Sequence, residues 1–134
     1  MAETLTLELK TSARDEMIDV TQLVRSATKR AQVDSGLALV FCPHTTAGVT
    51  LQENTDPNVR ADMSAQLRHL VPQDPQFRHA EGNADAHIKS SLIGSSVTLM
   101  VDKGKLLLGP WQAIYFCEFD GPRSRKLLVK VISG

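Results

Sequence analysis

Apolar and polar residues alternate at the start of the chain, where Leu5, Leu7 and Leu9 are interleaved with Thr4, Thr6, Glu8 and Lys10. A period of two predicts a half-buried strand. From Thr21 the spacing lengthens. Leu23, Val24, Ala27 and Ala31 fall on one helical stripe, with Arg25, Lys29 and Arg30 on the other side. Thr21 is the expected cap of that helix, and Gly36 lies just past its expected end. Residues 37–42 form an unbroken apolar run, which predicts a strand buried on both faces. Pro43 ends it, and Ala47 to Leu51 reads as the next strand.

Asp56-Pro57 is a helix start with proline at the first helical position. Met63, Leu67 and Leu70 continue a helical stripe that stops before Pro72. Residues 72–86 carry Pro, Gly, Asn and Asp without apolar periodicity and read as a long loop, of the kind that tends to be functional or disordered. Ala84 to Leu92 has the look of a short helix ended by Gly94. Val97 to Val101, Ala113 to Phe119 and Lys126 to Ile132 predict three strands separated by glycine-containing turns. Strands early and late with two or three helices between them predict one α+β domain over residues 1–134. Its core is expected to be a sheet-rich, mixed or antiparallel, sandwich-like arrangement rather than regular βαβ alternation.

Composition narrows the function classes. The chain has 134 residues, enough for one domain with a real core, and is 42% hydrophobic, too rich for disorder. Lys plus Arg and Asp plus Glu number 15 each. A zero net charge argues against a protein that holds nucleic acid or an anionic membrane by its overall field. No apolar run approaches the length of a membrane span, and the first ten residues lack a signal-peptide core, so a cytoplasmic location is expected. Cys42 and Cys117 lie inside apolar runs and belong to no C-x-x-C pair. Buried free thiols are expected.

Three segments carry candidate chemistry. His44 follows the apolar strand in Pro43-His44-Thr45-Thr46-Ala47-Gly48, where a rigid strand end suits a ligand or general base. The plainer reading is a packed histidine satisfied by Thr45 or Thr46. In His79-Ala80-Glu81-Gly82-Asn83-Ala84-Asp85-Ala86-His87 every odd position is a potential ligand or hydrogen-bonding group, and every even one is Ala or Gly. An extended segment would point all five polar side chains the same way. The spacing matches no standard zinc or calcium loop. His69, on the second helix, reads as a surface residue. The turn Asp120-Gly121-Pro122-Arg123-Ser124-Arg125 offers two guanidinium groups suited to phosphate or carboxylate, or serves as plain surface charge. Trp111 reads as a partly buried residue at a strand start, with a binding surface as the other reading.

Taken together, three segments resemble the YjbQ-like family. They are His44-Thr45-Thr46-Ala47-Gly48-Val49-Thr50; Glu81-Gly82-Asn83-Ala84-Asp85-Ala86-His87-Ile88-Lys89-Ser90-Ser91-Leu92-Ile93-Gly94; and Leu108-Gly109-Pro110-Trp111-Gln112 with Glu118-Phe119-Asp120-Gly121-Pro122-Arg123. The likeness spans nearly the whole chain. It implies a compact, sheet-rich domain that assembles as a homotrimer, with a metal-binding site matching His44, His79 and His87. Some members are described as having a secondary thiamine-phosphate synthase activity, joining a pyrimidine pyrophosphate to a thiazole phosphate.

Two functions follow as expectations. The first is an enzyme acting on a phosphorylated small molecule. The three imidazoles would hold a divalent ion, zinc in preference to magnesium, and leave a position open for water or substrate. Arg123 and Arg125 would receive phosphate, with Thr45 and Asn83 as further substrate contacts. Glu81 or Asp85 would act as acid, base or orienting group. The second is a non-catalytic trimeric module that binds a metal or small ligand. One Trp, one Tyr and four Phe serve the whole chain, so added burial between subunits would help its stability.

Overall fold

A computed structural model describes residues 2–134. In chain order the elements are β1 (Thr4–Lys10), β2 (Glu16–Asp19), α1 (Thr21–Ala31), β3 (Gly36–Phe41), β4 (Ala47–Glu53), α2 (Pro57–Leu70), α3 (Ala84–Ile93), β5 (Ser96–Asp102), β6 (Lys105–Leu106), β7 (Gln112–Glu118) and β8 (Ser124–Ser133). The strands form two sheets, one in the order β1-β8-β3-β5-β6 and the other β2-β7-β4. Every pairing is antiparallel. The α+β expectation holds, with the antiparallel alternative realised. Among the described residues no helix is long and apolar enough to cross a membrane.

The two sheets enclose the main core. Ala38 and Val40 of β3, Leu99 and Val101 of β5, and Leu127, Val129 and Val131 of β8 face Ile114 and Phe116 of β7, while Val20, Val24 and Ala27 bring α1 onto the same cluster. The other face of β7 carries Ala113, Tyr115 and Cys117. It packs, with Phe119, against Ala86 and Ile93 of α3 and Met63 and Leu67 of α2. β7 is therefore buried on both faces, which is why it reads as an unbroken apolar run. Cys42 and Cys117 are buried and free, as expected.

Some local expectations change. Thr21 is the first helical residue of α1 rather than its cap. Its Oγ1 donates to Asp19 Oδ1 at 2.6 Å and accepts from the Ile114 amide at 2.9 Å, so it ties the helix to β7. That helix ends at Gln32 in a left-handed conformation, and Gly36 opens β3 instead. The start of α2 is as expected, with Asp56 Oδ1 accepting from the Asn58 amide at 2.9 Å. The strands β2 and β6 have four and two residues, too short to show a period. Trp111 is 64% exposed, which leaves the surface reading.

β3 departs most. Only Ala38 and Val40 are buried, and Leu37, Leu39 and Phe41 on the other face are exposed. In register beside Leu37 stand Met100 and Ile132, and beside Phe41 stands Leu128. Beside Leu39 stand Thr98 and Lys130, so the outer face of the larger sheet presents to solvent an apolar stripe along β3 with polar neighbours at its middle.

Between the sheets lies a charged pair. Glu118 is fully buried and Arg125 is 5% exposed. Arg125 Nε donates to Glu118 Oε1 at 2.8 Å, and its Nη2 donates to Glu118 Oε2 and to Thr46 Oγ1. Thr11 Oγ1 donates to Glu118 Oε1 at 2.6 Å, and the amides of Phe119 and Asp120 bond Oε2 at 3.1 Å each. Burial pushes the Glu118 carboxyl upward, but the hydrogen bonds and the Arg125 charge outweigh it and hold its pKa below the ordinary carboxylate value.

Removing one partner strands the other in the core. Arg125→Met is expected to lower stability by about 3–5 kcal/mol in urea unfolding. A folded-state pKa below the unfolded one means the stabilisation is fully present above the unfolded value of about 4.3 and is lost as the pH falls through the folded value. Wild-type stability should therefore decline on acidification below about pH 4 with a slope that Glu118→Gln reduces. Identical slopes for both proteins would assign the acid sensitivity elsewhere.

Candidate functional site

The segment 71–83 leads from α2 to α3, and Asn83 stands at the start of the latter helix. Its carbonyl accepts from the Ala86 amide at 3.0 Å, which closes the first turn. Asp85 falls in that turn and is 1% exposed. It takes both Nη atoms of Arg14, at 3.0 and 3.1 Å, and Lys89 Nζ at 3.3 Å. Lys89, 2% exposed, also reaches Asp15 at 3.3 Å and lies 6.0 Å from the centre of the Phe119 ring. Two acids and two bases so satisfy one another at the foot of α3.

A second set joins it at Asp120. Asn83 Nδ2 donates to Asp120 Oδ2 at 2.8 Å, and Arg123 donates to the same carboxylate oxygen at 2.8 Å and to the Asp120 carbonyl through Nε. Asn83 Oδ1 is buried with no hydrogen-bond partner among the described residues. The Arg123 amide donates to Thr11 Oγ1 at 2.9 Å, and Thr11 in turn holds Glu118. Gly121 makes this junction possible: a Cβ there would lie 2.2 Å from the Ala13 carbonyl oxygen.

In front of α3 opens a cleft of about 380 Å³ lined by Pro75, Phe77, His79, Gly82, Ala84 and Asp85, among others. The His79 and His87 rings meet edge to face with centroids 5.2 Å apart. Glu81, three-quarters exposed, brings a carboxylate oxygen to 3.8 Å from His79 Nε2. Of these three side chains His79 lines the cleft, with His87 and Glu81 beside it. The first-turn amides of α3 and the guanidinium of Arg123, 52% exposed, offer donors to an anion, while the cleft lining itself carries the carboxylates of Asp74 and Asp85 and no Arg or Lys.

Several expected site residues belong elsewhere. The extended reading of 79–87 fails because the helix begins at Ala84, so Asp85 turns inward. Burial pushes its carboxyl upward, yet the hydrogen bonds from Arg14 and Lys89 and their charges hold the pKa low. An ionised carboxylate with three donors on it positions Arg14 and Lys89 rather than moving protons. Arg125 is not at the turn tip but inside β8, committed to Glu118 and Thr46. Thr45 is exposed, and its neighbour Thr46 is the one engaged.

His44 also stands apart. Its Nε2 accepts from the Lys126 amide at 2.9 Å, which leaves the proton of the neutral ring on Nδ1. Burial, then the Arg125 charge, lowers its pKa and favours that neutral form. The ring so held offers a donor and no free lone pair. Among the described residues no three His, Cys, Asp or Glu side chains converge to hold a metal, so one chain does not gather His44 with His79 and His87. Sequence reasoning passed over Arg14, Asp15 and Lys89. The i, i+4 spacing of Asp85 and Lys89 was a readable signal, whereas nothing local marked Arg14.

Comparison with known proteins gives the same architecture. A family model described as UPF0047 protein YjbQ-like matches residues 5–134. The UPF0047 protein YugU of Bacillus subtilis is 49% identical over 128 residues, 95% of this chain and 97% of YugU. The UPF0047 protein YjbQ of Escherichia coli O157:H7 is 35% identical over 132 residues, 96% of each chain. A crystal structure of an uncharacterised conserved protein of the same family from Clostridium acetobutylicum aligns with a TM-score of 0.93 at 52% identity, covering 96% of this chain and 99% of that one. With the match running from the first strand to the last residue, this chain belongs to the YjbQ-like UPF0047 family.

Proposed function

We propose that this chain is an enzyme that binds a phosphorylated small molecule in the cleft before α3, with a divalent ion at His79 and His87. The observation that carries the reading is the edge-to-face imidazole pair beside a cleft that opens on a helix N-terminus. Nitrogen donors favour zinc, and Glu81 would serve as a third ligand. The ion, when bound, would add positive charge against a phosphate or pyrophosphate group. Arg123 and the α3 amides would hold the phosphate oxygens, and Arg14 would keep Asp85 ionised and turned away from them.

The family resemblance adds a candidate reaction, the joining of a pyrimidine pyrophosphate to a thiazole phosphate. Pyrophosphate leaves in that reaction, and the Arg123 guanidinium would receive the departing anion. Arg123→Ala should weaken a phosphorylated ligand by roughly 2 kcal/mol, about thirtyfold, in titration calorimetry while leaving the melting temperature nearly unchanged. Equal affinities would remove the turn from the site.

For the ion, elemental analysis after zinc loading is the direct measure. The His79→Ala/His87→Ala double variant should lose stoichiometric zinc and stay folded, while His69→Ala keeps it. His44→Ala should keep it too, since the Nε2 of that ring is occupied. Zinc retained by the double variant would end the proposal of a site there.

A second reading, assembly as a homotrimer, is favoured by a separate observation. The bare apolar face of Leu37, Leu39, Phe41, Met100 and Ile132 is of the kind that subunits cover. Light scattering at micromolar concentration should give about three times the 14.7 kDa chain mass. Leu39→Lys, which places a charge mid-face, should shift that mass toward the single chain. A monomeric wild type would refute self-association.

A further inference from the structure

Away from the cleft, α1 and the β5–β6 hairpin border a second, open pocket of about 350 Å³, lined by Arg25, Thr28, Lys29, Lys103, Gly104, Lys105 and Leu106, the four cationic side chains exposed. Four of these side chains are cationic, and no carboxylate is among them. None of the four cations makes an ion pair with a described residue. In a chain of zero net charge such segregation is uncommon, because scattered opposite charges would screen one another.

Two elements each act against local preference to build it. Arg25 and Lys29 stand four apart on α1, a like-charge spacing that works against a helix. The hairpin turn places Lys103 at φ 51 before Gly104 at φ 76. Tight turns of that hand ordinarily use Asn, Asp or Gly at such a position, because a longer side chain is strained there. Where local rules are broken on two separate elements facing one cavity, a bound group is the physical reason to look for.

We infer that this cavity is a second anion site, which takes the polyphosphate group of a small molecule. Charge decides the class. One phosphate monoester carries roughly two negative charges and would leave two of the four cations unmatched, whereas a diphosphate or triphosphate chain balances them. The Arg25 fork suits two oxygens of one phosphoryl group, and the three lysines serve as point charges along the rest. No aromatic side chain lines the cavity, so it lacks the stacking surface that single-stranded nucleic acid uses.

The test uses inorganic tripolyphosphate, titrated calorimetrically into the whole chain at about 50 mM and about 200 mM salt. Binding should weaken at the higher salt. Lys103→Gln/Lys105→Gln should weaken it about tenfold or more at unchanged melting temperature, and Arg25→Gln/Lys29→Gln should do the same from the helix side. Amide resonances of Thr28 and Gly104 should move on titration, and Arg123→Ala should change the affinity of this site by less than twofold. The inference is overturned if both double variants bind as wild type, or if inorganic phosphate binds as tightly as tripolyphosphate. It is also overturned if a single-stranded oligonucleotide of equal charge binds more tightly than tripolyphosphate.

Discussion

The buried pair of Glu118 and Arg125 is the constraint on which the rest of the structure depends. β7 has a sheet core on one side and a helical layer on the other, and Glu118 projects from it into the space between the sheets. A carboxylate there is tolerable only with its charge matched and its oxygens satisfied. Arg125 from β8 supplies the match, Thr46 and Thr11 complete it, and four separate segments are thereby brought to one point. A pair of this kind adds little over two apolar residues of the same shape. Its effect is to penalise every register in which the partners do not meet.

The candidate site inherits its position from that junction. Thr11 bonds both Glu118 and the amide of Arg123, so the 120–123 turn cannot drift relative to β1. Asp120 then holds Asn83, and the start of α3 follows. The quartet of Arg14, Asp15, Asp85 and Lys89 adds a second anchor on the same helix. What remains unanchored is the segment before it, with His79 and Glu81 at the surface. The site is therefore a rigid helix start faced by an exposed loop, a common division between positioning and binding groups.

Charge and apolarity are both segregated on this molecule. The outer face of the larger sheet is apolar along β3, the α1 side is cationic, and the α3 side mixes acids with bases in satisfied sets. A zero net charge conceals these separate surfaces.

Periodicity made much of the fold legible. The alternation of Leu5, Leu7 and Leu9, the stripe through Val24 and Ala27, the Asp56-Pro57 start and the apolar run of β7 each state a local preference that the fold keeps. Local pattern also gathered the His79–His87 segment as a place of chemistry. It could not say that the segment turns helical at Ala84, that Asp85 faces Arg14 seventy-one positions away, or that Lys126 occupies the Nε2 of His44 across eighty-two. Those outcomes depend on which groups the sheets bring together, and side-chain spacing along a strand or helix carries no record of a partner so distant. The run of residues 37–42 shows the limit from the other side: sequence determined that both faces of β3 are apolar, and only the packing of the sheets decided which of them the single chain covers.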